Sequence, residues 1–102
     1  MKSVHTIIKM LRKSANLENF DESEKVMFTS SYKRLHAHKQ VRSVVSEGLS
    51  MVSRMIKNGW DDEMTYCSIE LMNQEYNNTL FQKVVLVALE KELEKKYFSL
   101  AA

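Results

Sequence analysis

The chain has 102 residues, 44% apolar and 27% charged, with a formal net charge of +2, the balance of one globular domain rather than of a two-domain enzyme. Proline is absent and glycine occurs twice, at Gly48 and Gly59, so a turn-rich sandwich or barrel is excluded and helices are expected. The charge is unevenly spread. Residues 1–58 hold eleven Lys and Arg against five acids, whereas 59–102 hold four Lys against eight acids. Such a gradient is satisfied within one chain, between two copies, or by an outside partner.

Ser3 is placed to cap a first helix in which Val4, Ile7, Ile8 and Leu11 recur at helical spacing, ending near Ala15. Residues 16–20 read as a connection. Asp21 followed by Glu24 matches a capping box with Asp in place of Ser or Thr, and opens a second helix. From there to Asn58 no residue stops a helix, yet the apolar face moves. Phe28, Tyr32 and Leu35 share one side, while Val41, Val44, Val45, Leu49, Val52, Met55 and Ile56 lie on a face rotated by roughly 140° at 100° per residue. One straight helix cannot bury both against one neighbour. A break near 36–40, giving helices at 21–36 and 39–58, is favoured over a long helix completed by a second copy.

Asn58-Gly59 is a helix stop, because glycine takes the left-handed conformation that closes a helix end. Asp61, Asp62 and Glu63 then place negative charge where the next helix dipole favours it. That helix should reach about residue 76, presenting Met64, Cys67 and Leu71 as its apolar face. Asn77-Asn78 interrupts, Thr79 with Gln82 forms another capping box, and a final helix spans about 80–98. Its apolar run at 84–89 is too short to cross a bilayer, which takes about 20 residues. The expected fold is an all-α compact bundle of four or five helices forming a single domain over 1–102, with 39–58 and 80–98 at its centre and homodimerisation open.

Signals for chemistry are sparse. His36 and His38 are two apart, which sets them on opposite helix faces, whereas helical metal pairs use a four-residue step. With no ligand spacing and no glycine-rich phosphate loop, neither metal nor cofactor is expected. Cys67 is the sole cysteine, so no intramolecular disulfide forms and a reducing, cytoplasmic setting is expected. Its position on the apolar face reads as packing rather than nucleophilic chemistry. No catalytic residues are expected.

Two surfaces remain. Seven methionines are many for this length, and methionine suits plastic binding as well as core filling. Met51, Met55 and Met64 are therefore candidates for contact with another protein. Trp60 joins them, reading equally as a lid over the core or an exposed anchor. The other surface is the basic segment of Lys33, Arg34, His36, His38, Lys39 and Arg42, with Tyr32 beside it. It reads mainly as a solvated junction and alternatively as a nucleic-acid contact. A stripe of Ser43, Ser46, Ser50 and Ser53 reads as a wet helix face or a close partner contact. The last three residues, Leu100, Ala101 and Ala102, resemble the end of the bacterial tag that ribosome rescue adds to mark chains for degradation. Together these readings lead to a non-enzymatic regulator, inhibitor or immunity-type protein acting through another protein, with transcription regulation through 33–42 as the alternative.

Overall fold

The computed structural model describes residues 4–74 and 79–98, and within them the chain forms five α-helices and one short 3-10 turn. Helix α1 is Val4–Ala15, α2 is Glu22–Leu35, α3 is Lys39–Asn58, α4 is Asp62–Gln74 and α5 is Thr79–Phe98. Within the described residues, the punctuation expected near Ala15 and at Asp21 and Gly59 is where these helices stop and start. Asn16 closes α1 in the left-handed region (φ 52°, ψ 42°) and is followed by the 3-10 turn Leu17–Asn19. Asparagine accepts this conformation because its short side chain bonds locally, here as acceptor from Asn19 Nδ2 at 2.8 Å. The capping box at α2 is complete: Asp21 Oδ1 accepts from Glu24 N at 2.7 Å, and Glu24 Oε1 accepts from Asp21 N at 3.2 Å. Gly59 ends α3 with φ 63°, and Trp60 N donates to Met55 O at 3.1 Å, closing the helix end. Asp61 then caps α4 by accepting from Met64 N at 2.8 Å.

Between α2 and α3 the chain does break. His38 is extended (φ −65°, ψ 142°), and its Nδ1 accepts from Gln40 N at 3.2 Å. The break has a packing reason. It lets the Phe28, Tyr32 and Leu35 face of α2 and the rotated face of α3 both turn toward α5, which packs against α1, α2 and α3. Helix α5 is the centre of the bundle, with Val84, Val85, Leu86, Ala88, Leu89 and Leu93 buried. The core is contiguous, joining these to Ile7, Ile8 and Leu11 of α1, Val41, Val45 and Val52 of α3, and Ile69 of α4. Gly48 of α3 faces Leu89 of α5 closely. A Cβ added there would lie 2.9 Å from Leu89 Cδ2 and 3.3 Å from Cδ1.

Two expectations are corrected. Met64 and Cys67 do not form the buried face of α4: both are exposed, while Thr65 and Ile69 are buried. Thr65 tolerates burial because its hydroxyl donates to Asp61 O at 2.8 Å. Met55, expected at a binding surface, is fully buried, since it points inward from the last turns of α3 with Val52. The Ser3 cap, Leu71, the Asn77-Asn78 interruption and residues 100–102 fall where side chains or backbone lie outside the described residues, as does the Thr79 side chain of the second capping box.

The two oppositely charged halves meet within the chain. Arg12 of α1 is paired with Glu90 of α5 and lies 3.3 Å from Glu94. The hydrogen bond and charge of Glu90, with Glu94 in support, raise the guanidinium pKa further. Lys83 of α5 donates to Ala15 O at the C-terminus of α1 and lies 5.2 Å from the centre of the Phe20 ring. Partial burial there lowers its pKa, opposed by the charge of Glu24. No helix among the described residues is long and apolar enough to cross a membrane.

Candidate partner surface and cleft

Helix α2 is capped well and buried poorly. Of its fourteen residues, all described, Ser31 alone is buried. What holds it down is a row of rings, half-buried at Phe20, Phe28 and Tyr32 and exposed at His36, with Phe28 and Tyr32 packed against the core. Phe20 meets Phe28 edge-on at 6.2 Å, Phe28 meets Tyr32 at 6.0 Å, and Tyr32 stacks on His36 at 5.1 Å with the planes 9° apart. The spacing of 28, 32 and 36 is what brings these rings onto one side of a helical turn. Away from that row, Val26 is 69% exposed and Met27 59%.

Where α2 hands over to α3, the row of rings borders a half-open cleft of about 420 Å³ between the junction and α5. Val45, Leu49 and Ala88 supply apolar surface to it, and Tyr32, His36, Arg42, Lys91 and Glu92 supply polar edges. Lys91 Nζ lies 4.5 Å from the centre of the Tyr32 ring, within reach of a cation–π attraction. His36 Nδ1 is 2.9 Å from Tyr32 O. That carbonyl only accepts, so Nδ1 is the donor in this contact. Among the described residues, neither Arg42 nor Glu92 has an ion pair.

The basic segment is therefore divided rather than assembled. Lys33 and Arg34 are exposed in the last turn of α2, and Lys39 is exposed at the start of α3. His38 is committed to capping α3. Only His36 and Arg42 come together, and they do so with Lys91, which sequence reasoning missed because it arrives from α5. Of the methionine surface, Met51 and Trp60 are half-buried and Met64 is 51% exposed. Val26 and Met27 were also missed, although both lie off the Phe28, Tyr32 and Leu35 face and that offset is visible in the sequence. The serine stripe is exposed at Ser43, Ser46 and Ser50, while Ser53 meets Lys96 Nζ at 3.2 Å.

No family model matches the chain, and no curated protein or solved structure matches it either.

Proposed function

We propose that this chain is a non-catalytic, cytoplasmic regulator or adaptor that binds another protein, with α2 as the main contact and Met64, Met51 and Trp60 as a further contact area. One observation carries the reading: a fourteen-residue helix with a single buried residue, a serine, displays both Val26 and Met27 to solvent. Helices in globular proteins draw most of their stability from a packed apolar face. A helix with this little burial and with large apolar side chains outward is suited to being covered by a partner.

The test is capture from native lysate with the wild-type chain beside Val26→Glu/Met27→Glu and Met64→Glu variants, with solution mass measured in parallel. Glutamate keeps helix propensity while removing apolar contact. A partner held by the wild type and lost by the α2 variant supports the reading. Equal capture by all three overturns α2 as the contact. A doubled solution mass that the α2 variant abolishes makes the partner a second copy.

The nucleic-acid alternative has one observation in its favour, the exposure of Lys33, Arg34, Lys39 and Arg42 on both sides of the α2–α3 junction. Titration with duplex DNA at rising salt decides it. Affinity that falls steeply with salt establishes phosphate contacts, and absence of binding at low salt removes this reading.

A further inference from the structure

We infer that the cleft between the α2–α3 junction and α5 is a binding site for a small amphipathic carboxylate, its head held by Arg42 and Lys91 and its apolar tail lying on Val45, Leu49 and Ala88. The inference needs nothing from the partner reading, since Val26 and Met27 do not line this cleft.

The volume of about 420 Å³ lies in the range of small-molecule sites, roughly 300–1,000 Å³. The composition of the walls then selects the ligand. An apolar floor flanked by a few convergent polar groups is the usual arrangement for holding a compact organic molecule in one orientation. Arg42 is a fixed fork of donors without an ionic partner among the described residues, and a carboxylate is the group this fork matches best. Lys91 is positioned by its contact with the Tyr32 ring face, which leaves ammonium protons directed away from the ring. Tyr32 is in turn stacked on His36, so the Lys91 ammonium is placed before any ligand arrives.

Glu92 sets a limit on the charge. With Arg42 and Lys91 cationic and Glu92 anionic, the wall carries a net charge of +1 from these three residues, enough for one carboxylate and poorly suited to a polyanion. An inorganic anion would leave the apolar floor uncovered. A cation would meet two like charges. The ligand that satisfies both the floor and the walls has one negative charge and a short hydrocarbon body.

Amide NMR titration of the full chain with hexanoate, acetate, hexan-1-ol and hexylammonium tests this. Hexanoate should bind at least about tenfold more tightly than any of the other three, with shifts concentrated at residues 42–49 and 88–92: hexan-1-ol and hexylammonium lose the charge-assisted hydrogen bond, and acetate loses the apolar tail. Arg42→Gln should weaken hexanoate about tenfold. Glu92→Gln should tighten it about threefold, the scale of one exposed like-charge contact. Both side chains are exposed, and an unchanged helical circular dichroism spectrum verifies that the variants fold. Absence of hexanoate binding, equal binding of hexylammonium, equal binding of acetate, or hexanoate affinity unaltered in Arg42→Gln each overturns the proposal.

Discussion

Met55 and Met64 carry the same side chain on either side of the α3–α4 turn, yet one is fully buried and the other 51% exposed. The difference follows from the helix each belongs to. Met55 is on the inward face of α3 with Val52, whereas Met64 lies in the first turn of α4, off the face that buries Thr65 and Ile69. Truncation should separate them sharply. Met55→Ala is expected to cost about 2–5 kcal/mol, combining lost transfer energy with a cavity, while Met64→Ala stays within about 0.5 kcal/mol. Chemical denaturation of the two variants checks this, and similar losses for both would contradict the burial assignment. If Met64 is a partner contact, its alanine variant weakens capture without lowering stability.

Gly48 links the residue to the pair of helices that contain it. Alanine within a helix is favoured over glycine by about 1 kcal/mol, so the substitution should stabilise α3 in isolation. In the bundle the added carbon lies 2.9 Å from a methyl of Leu89, which is itself fully buried. Overpacking of this kind costs about 1–3 kcal/mol, so Gly48→Ala should be destabilising in the wild-type background. In a Leu89→Ala background the obstruction is gone and the same substitution should become stabilising by about 1 kcal/mol. A double-mutant cycle measured by urea unfolding reads the reversal of sign, and a stabilising Gly48→Ala in both backgrounds would remove the close approach. Helix α2 makes a complementary prediction. With little burial, it depends on its cap, and losing a cap of this type costs about 1 kcal/mol. Hydrogen exchange should find the α2 amides less protected than those of α3 and α5. Asp21→Ala should speed exchange in α2 by about fivefold and leave α5 unchanged.

These elements also show what the sequence makes legible. Helix ends were readable at Asp21 and at Gly59 because the signals are local: a carboxylate three residues before a backbone N–H, and a residue tolerant of positive φ. The break near His38 was readable because the apolar face rotated, which is a property of pattern. The buried face of α4 was not readable. Thr65 is buried on the strength of a hydrogen bond to Asp61 O, and Ser31 is buried on α2 while Val26 is exposed; hydrophobicity alone ranks these residues in the opposite order. The cleft was half legible. His36 and Arg42 lie in one charged segment, but Lys91, Ala88 and Glu92 reach it from α5, and no local spacing announces a contact of that range.

At the scale of the whole molecule, α4 joins the bundle through α1, while α5 gathers α1, α2 and α3 into one body. Its apolar first half has no single wet face, and α1, α2 and α3 each lie against it. The radius of gyration of 13.6 Å is close to the ~13 Å of a compactly folded chain of about this length. A core shared through one central helix should unfold as a unit. Loss of helical circular dichroism and the change in Trp60 fluorescence are therefore expected to coincide along a urea titration. Leu11→Ala in α1 and Leu93→Ala in α5 remove side chains that are 1% and 0% exposed, on different helices of the same core. Each should lower stability by about 2–5 kcal/mol and move the entire transition to lower urea, with the slope unchanged. If Leu11→Ala instead splits the curve, so that α1 melts ahead of the remaining helices, the core divides into two cooperative parts and α5 does not unite them.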